Sequence, residues 1–192
     1  MITLIIVDCQ NDFISGTMSV KNAKLALECI KEFIKSNIKE IDKIIFTVDW
    51  HPYNHCSFKK YGGEYPSHCI QYTPGACIEP KLLKLVQSLE LNYQVCPKGE
   101  LEEVEQQGAF YEIEFCQDAL GSRYYLNSIA VVDAESTFIV CGIAENYSVK
   151  ETISNLLDNK IVPKILLKGI VSTDNGNKLN RFIKENNLEI IK

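Results

Sequence analysis

Short, continuously apolar stretches alternate with amphipathic helical patterns along the whole 192-residue chain, and this alternation limits its possible folds more than any other feature. Such runs are typical of buried strands, and apolar residues spaced three and four apart are typical of helices. Buried strands separated by amphipathic helices imply a mainly parallel sheet with helices on both faces. We therefore predict a single doubly wound α/β domain over residues 1–192, with about six strands. Strands are predicted at 2–7, 43–48, 93–96, 137–141 and 164–167, with a weaker one at 188–191, and helices around 26–34, 82–89 and 149–157.

The composition is that of an ordinary globular protein, with 46% hydrophobic and 23% charged residues. A net charge of −5 gives no reason to expect nucleic-acid binding. The first residues, MITLIIVDCQNDF, include no basic leader, so we expect neither a signal peptide nor a membrane span, and a cytoplasmic location. The eight cysteines are scattered and form no C-x-x-C pair, which favours reduced thiols over disulfides or a cysteine zinc site.

Candidate functional residues follow four successive predicted strands. Asp8 follows the first strand, Asp49 the second and Lys98 the third, while the fourth leads to Ala144 and Ser148. In an open α/β sheet, ligands bind beyond the carboxyl ends of the strands, and these ends all lie at one edge. A single acid there would be unremarkable, because aspartate is common in turns and caps. Four such positions in succession predict a functional site.

All three histidines lie in one 18-residue window of a long aperiodic loop, 50–78. Asp49 and His51 form D-x-H at a strand end, where alternation points both side chains to the same side. His55 and His68 follow. Carboxylate and imidazole groups suit Zn²⁺, Mn²⁺ or Fe²⁺, and three such ligands leave positions for water or substrate. Any one of these histidines could be an ordinary solvated residue, but their confinement to one window favours a metal site.

Asp8, Lys98 and Ser148 form a second candidate group. A carboxylate beside a lysine and a nucleophile can take the proton of the nucleophile while the ammonium balances charge. Ser148 lies in VCGIAENYSVKET, where a glycine turn joins a strand to a helix and backbone amides converge. Taken singly, the three residues are also compatible with a turn acid, a surface lysine and a helix-start serine.

Five motifs carry a resemblance that extends over about residues 2–155: DCQNDF (8–13), DWHPYNHCSF (49–58), YPSHC (65–69), PKG (97–99) and CGIAENYSV (141–149). In order and spacing they resemble the nicotinamidases, which belong to the isochorismatase-like cysteine hydrolases. The D-x-H…P-x-H-C element is specific to the metal-dependent amidase branch. The resemblance implies hydrolysis of nicotinamide to nicotinate and ammonia through a covalent intermediate on a cysteine.

The resemblance also implies roles for individual residues. Asp8 is expected to be the general base and Lys98 its charge partner, and a divalent metal is expected to hold the pyridine nitrogen. Zinc is the first expectation for this metal, with manganese or iron as alternatives. The metal ligands are expected to be Asp49, His51 and His68, with His55 as a fourth ligand that varies within the family.

Further expectations concern the substrate. Phe13 and Tyr65 match ring-stacking positions, and Ile143 is assigned to the substrate-binding turn. The family's turn contains a non-proline cis peptide, here Ile143–Ala144. The backbone amides of Ala144 and Ser148 are expected to face the developing oxyanion.

The chain departs from the family at the nucleophile. The family pattern G-I-A-T-D-Y-C-V is G-I-A-E-N-Y-S-V here, so Ser148 stands at the cysteine position, and Gln107 stands at a position usually held by tyrosine. A hydroxyl is a far weaker acid than a thiol and normally relies on a histidine base, so Ser148 is expected to be a poor nucleophile.

Three interpretations of Ser148 follow from this departure. The cysteine has been replaced artificially, or the protein is a natural relative that binds without hydrolysing or hydrolyses slowly, or Ser148 acts with a metal-activated water. The alternatives to a nicotinamidase are an amidase for another small carboxamide and a non-catalytic protein that binds a metal and a ligand. The expected partner is a small molecule, with no nucleic acid and no membrane, and a homo-oligomer stays open.

Overall fold

The computed structural model describes residues 1–110, 136–171 and 177–191. The segment 117–133, whose sequence predicts a helix running into IAVV, lies outside these ranges. The described residues form six strands and five α-helices, together with 3₁₀ turns at Lys59–Tyr61 and Pro74–Ala76 and a π-helical turn at Glu145–Val149. In chain order, the elements are β1 (Ile2–Val7), α1 (Asn11–Ile14), α2 (Ala23–Ser36), β2 (Ile41–Asp49), α3 (Pro80–Ser88), β3 (Tyr93–Lys98), β4 (Thr137–Gly142), α4 (Lys150–Asp158), β5 (Lys164–Ile170), α5 (Asn177–Glu185) and β6 (Ile190–Ile191).

The six strands make one sheet in the order β3-β2-β1-β4-β5-β6. Every neighbouring pair is parallel, which confirms the predicted parallel sheet. β1 lies in the middle of the sheet, β2 and β3 follow toward one edge, and β4, β5 and β6 follow from β1 toward the other edge. The direction of winding therefore reverses between β1 and β4, and the crevice at the carboxyl ends of these two strands is where such sheets bind ligands.

Successive residues of β1 supply two separate hydrophobic cores. Leu4 and Ile6 pack in one core with buried residues of α2 and α3. Ile5 and Val7 pack on the opposite face with buried residues of α4 and α5. Side chains alternate between the faces of a strand, so a continuously apolar strand requires helices on both sides. The cores thus explain why the strand sequences are apolar throughout, and they confirm the doubly wound arrangement.

Element boundaries differ from the prediction mainly at three strands, of which β5 extends beyond the predicted 164–167 as far as Ile170. The weak strand predicted at 188–191 is limited to Ile190–Ile191, because Leu188 turns into the second core. β3 extends beyond the predicted 93–96 as far as Lys98, which pairs in register with Asp49 at the end of β2. No helix among the described residues is long and apolar enough to cross a membrane.

Candidate active site

Asp8 is the residue that follows β1, and it lies fully buried at the β1/β4 crevice. Its Oδ1 atom accepts a hydrogen bond of 2.9 Å from the Thr47 hydroxyl on the neighbouring strand, and its Oδ2 atom lies 2.9 Å from the Nζ atom of Lys98. Burial raises the pKa of Asp8 to about 6, although the nearby Lys98 charge opposes that rise. Asp8 therefore holds a carboxylate that can gain and lose a proton near neutral pH.

Lys98 is a buried cation between two carboxylates. Its ammonium contacts Asp49 Oδ1 as well as Asp8, because Lys98 and Asp49 are register partners on adjacent strands. Burial lowers the pKa of Lys98, but the Asp49 and Asp8 charges outweigh it and hold that pKa above its usual value. Burial likewise acts to raise the pKa of Asp49, yet the Lys98 charge holds it well below its usual range. Lys98 and Asp49 are therefore both ionised.

Ser148 lies in the π-helical turn that follows β4, and its Oγ atom is 3.4 Å from Lys98 Nζ. In this turn the Val149 N–H donates to the Ala144 carbonyl at 3.4 Å, five residues back. The prediction of a cis peptide at Ile143–Ala144 is wrong, because the described residues contain no cis peptide bond. The chain turns instead through positive φ angles of 136° at Gly142 and 65° at Ala144. π-helical turns are frequent at functional sites.

Asp49, His51 and His68 form the one group among the described residues in which three ligand atoms lie within 4.8 Å of one another. The Nε2 atoms of both histidines face Asp49 Oδ2, at 3.6 Å and 3.7 Å. Each Nδ1 atom donates to a backbone carbonyl, of Gly99 at 2.9 Å and of Pro66 at 2.8 Å. A carbonyl only accepts, so these bonds place the proton on Nδ1 and leave the Nε2 lone pairs for a metal.

His55 is placed differently from the other two histidines. Its ring stacks on that of His51, with centroids 4.1 Å apart. Its Nδ1 atom hydrogen bonds with the Ser57 hydroxyl at 2.7 Å and its Nε2 atom with the Val104 carbonyl at 3.1 Å. Since both nitrogens are engaged elsewhere, His55 lies outside the three-ligand group and packs behind it.

A pocket of about 100 Å³ opens where the two groups meet. Ring centroids of Phe13 and Tyr65 lie 5.5 Å and 6.0 Å from that of His68, so these two predicted stacking residues stand beside one predicted ligand. Ile143 is buried in the first core and is not part of the pocket wall. Four residues of the wall are not predicted from the sequence: Met18, Val20, Glu105 and Tyr147. The other wall residues are Phe13, Asp49, Tyr65, His68, Lys98, Gln107, Ala144 and Ser148.

Two buried residues between β1 and α2 hold the segments that carry the candidate metal ligands, and sequence reasoning missed both. The Gln10 carboxamide accepts from the Asp49 N–H at 2.8 Å and donates to the Asp49 carbonyl at 2.7 Å. The Asp12 carboxylate accepts from the N–H of Cys69, the residue after His68, at 2.7 Å. Partners of this kind orient metal ligands.

A doubly wound sheet whose β1/β4 crevice joins a carboxylate, an ammonium and a hydroxyl to an Asp-His-His cluster places the protein in the class of isochorismatase-like hydrolases. No family model matches the sequence. A nicotinamidase of Acinetobacter baylyi is 30% identical over 166 residues, 78% of this chain and 71% of that protein. A nicotinamidase of Saccharomyces cerevisiae is 25% identical, and the matched residues span 100% of this chain and 99% of that protein. The chain belongs to the nicotinamidase family, and is a hydrolase of an amide bond.

Solved structures agree with this assignment at the level of the fold. The structure of the yeast nicotinamidase superposes with a TM-score of 0.81 at 24% identity, covering 100% of this chain and 99% of that one. The pyrazinamidase of Pyrococcus horikoshii in complex with zinc gives a TM-score of 0.76 at 23% identity, covering 100% and 98%.

Proposed function

We propose that the protein hydrolyses nicotinamide to nicotinate and ammonia, with Asp8, Lys98 and Ser148 as the reacting groups. The observation that carries the proposal is the position of Lys98, whose ammonium reaches Asp8, Asp49 and Ser148. Lys98 thereby connects Asp8 and Ser148, the proposed acyl-transfer residues, with Asp49, a proposed metal ligand. The nicotinamidase relatives supply the substrate class.

The reaction takes place in two halves. The Ser148 oxygen attacks the carboxamide carbon, while Asp8, which shares Lys98 as a neighbour with Ser148, takes the hydroxyl proton. Asp8 then gives this proton to the leaving nitrogen, the C–N bond breaks, and ammonia leaves an ester on Ser148. Water attacks the ester carbon, Asp8 takes its proton and passes it to the Ser148 oxygen, and nicotinate is released. The Ala144 and Ser148 amides are assigned to the oxyanion in both halves.

A divalent metal on Asp49, His51 and His68 fits this scheme. The two Nε2 lone pairs and one carboxylate oxygen converge, and open coordination positions would take the pyridine nitrogen and orient the ring. Two imidazoles and a carboxylate form a donor set typical of catalytic zinc, which makes Zn²⁺ the proposed ion ahead of Mn²⁺ or Fe²⁺. The structurally similar pyrazinamidase was solved with zinc.

The pocket walls suit a small flat ring. Phe13 and Tyr65 flank His68, and the Tyr147 ring meets that of Tyr65 edge to face with centroids 6.3 Å apart. Relatives of this fold have been solved with nicotinate and with the inhibitor nicotinaldehyde. Gln107 on the wall, where the family usually has tyrosine, favours one second candidate, an amidase for another small carboxamide.

Ammonia release tests the proposal. Nicotinamide is supplied with Zn²⁺ to the protein and to Ser148→Cys, and pyrazinamide is run in parallel to test the second candidate. If Ser148→Cys binds zinc but releases no ammonia from nicotinamide, the proposed reaction is wrong. Ligand binding without turnover in both forms would favour the non-catalytic alternative. The single domain over residues 1–192 and the cytoplasmic location stay predictions of the sequence.

A further inference from the structure

Gln106 is a buried side chain whose hydrogen bond leads directly to the metal-ligand group. It is 2% exposed, and its Oε1 atom accepts from the Gly99 N–H at 3.1 Å. The carbonyl of the same glycine accepts from Nδ1 of His51 at 2.9 Å. Both hydrogen-bonding groups of Gly99 are therefore occupied, the N–H by Gln106 and the C=O by a proposed metal ligand.

Gly99 needs such a partner because its backbone lies in a conformation that glycine does not hold by itself. Its φ angle is 65°, and glycine visits positive and negative φ about equally. A side chain cannot fix it, since a Cβ atom at Gly99 would lie only 2.4 Å from Cε1 of His51. The hydrogen bond that the Gly99 N–H donates to Gln106 helps to hold the N–H side of this residue, together with the Lys98 carbonyl of the same peptide unit, which accepts from the Trp50 N–H at 2.9 Å.

The segment around Gln106 also forms part of the substrate pocket. Its neighbours Glu105 and Gln107 both line the pocket wall. Two residues earlier, the Val104 carbonyl accepts from Nε2 of His55, whose ring stacks on His51. The stretch 104–107 therefore contacts the His51 side of the proposed metal site at two points, while the side chains of Glu105 and Gln107 line the pocket.

We infer that Gln106 is a positioning residue that fixes the orientation of His51 through the backbone of Gly99 and couples the pocket wall to the metal site. Partners behind a metal ligand fix its tautomer and ring orientation, and their loss typically lowers metal affinity about 10- to 100-fold. This inference rests on the proposed metal site. It assigns a role to a residue that touches neither metal nor substrate.

The test is zinc affinity, measured by competition with a chelating dye on the full chain. Gln106→Leu, which keeps the volume but removes the acceptor, is expected to bind Zn²⁺ about 10- to 100-fold more weakly. Gln106→Glu, which keeps an acceptor oxygen, is expected to recover most of that loss. Gln94→Leu, at an exposed position on the same strand as Lys98, serves as the matched control and is expected to bind as the unaltered protein does.

A second measurement distinguishes a change in the orientation of His51 from general damage to the fold. With Co²⁺ in place of Zn²⁺, Gln106→Leu is expected to show an altered visible absorption spectrum, whereas Gln106→Glu and Gln94→Leu keep the original one. If Gln106→Leu does not fold, Gln106→Asn, whose shorter side chain withdraws the acceptor, takes its place in both measurements. Unchanged affinity and spectrum in the acceptor-free variant overturn the inference. A failure of the unaltered protein to bind any metal instead overturns the proposed metal site.

Discussion

Lys98 Nζ lies 3.4 Å from Ser148 Oγ, within hydrogen-bonding distance of the proposed nucleophile. A lysine beside a serine can serve as a base only when it is neutral. Here the Asp49 and Asp8 charges hold the pKa of Lys98 above its usual value despite burial, so the lysine stays an ammonium and only donates. In the proposed reaction the proton of Ser148 therefore passes to Asp8, and Lys98 stabilises the negative charge of the nucleophile.

Replacing Ser148 by cysteine is expected to increase nicotinamide hydrolysis. A thiol gives up its proton to a carboxylate much more readily than a hydroxyl does. We expect kcat/KM to rise by about 10²- to 10⁴-fold, the range that a well-matched proton transfer contributes. Ammonia release measures the rate, and Ser148→Ala sets the background. Equal rates for the serine and cysteine forms would contradict the view that Ser148 is a poor nucleophile.

The rate of the Ser148→Cys form is expected to rise with pH through about 6. The pKa of Asp8 is raised to about 6, chiefly by burial, and only its ionised form accepts a proton. The rate should therefore be low below pH 5 and level off above pH 7, since one unit on either side of a pKa covers most of a titration. The measurement is a profile of kcat/KM with saturating zinc, and Asp8→Asn should be inactive throughout. A profile flat from pH 5 to 8 would exclude Asp8 as the base.

Removing the buried ammonium should destabilise the protein. Lys98→Met leaves the carboxylates of Asp8 and Asp49 buried without their cation, and breaking a buried pair from one side costs about 3–5 kcal/mol. Urea unfolding in the presence of a chelator measures this loss. Lys84→Met, which removes an exposed lysine, is the matched control and should change stability by less than about 0.5 kcal/mol.

The pH dependence of that loss has a definite sign. Without Lys98, the folded-state pKa of Asp8 rises further above the unfolded value, and burial raises that of Asp49 above it as well. A raised folded-state pKa means that stability is greatest at low pH and falls as pH rises through the folded-state value. The destabilisation by Lys98→Met should therefore shrink as the solution is acidified. A loss that is constant with pH would show that the lysine acts through packing alone.

The strands could be predicted from sequence because burial on both faces leaves a local signature. The run at Ile2–Val7 is apolar throughout for this reason, and the structure has β1 at those residues. The register between Asp49 and Lys98 has no such signature, since the two residues are 49 positions apart and meet only through the pairing of β2 with β3. The sequence predicted that both residues lie at the same edge of the sheet, but it did not predict that they are in contact.

The supports of the site were beyond sequence reasoning for a related reason. The acceptors of the two Nδ1 protons are backbone carbonyls, of Gly99 and Pro66, and every residue carries a carbonyl. Gln10 and Gln106 act through side chains, but a single glutamine has no periodicity and its partners lie in distant segments. The resemblance to a family predicted the reacting groups and left these supports unassigned.

Zinc is expected to raise the thermal stability of the protein through Asp49, His51 and His68. A ligand that binds only the folded state at a hundred times its dissociation constant adds about 2.7 kcal/mol. For a chain of this size, that corresponds to a rise in Tm of about 5–10 °C. Thermal unfolding with zinc and with a chelator measures the shift. Asp49→Asn, His51→Ala and His68→Ala should each remove most of it, while Asp42→Asn, an exposed acid on the same strand as Asp49, should keep it. A full shift in the His51→Ala, His68→Ala double variant would place the zinc elsewhere.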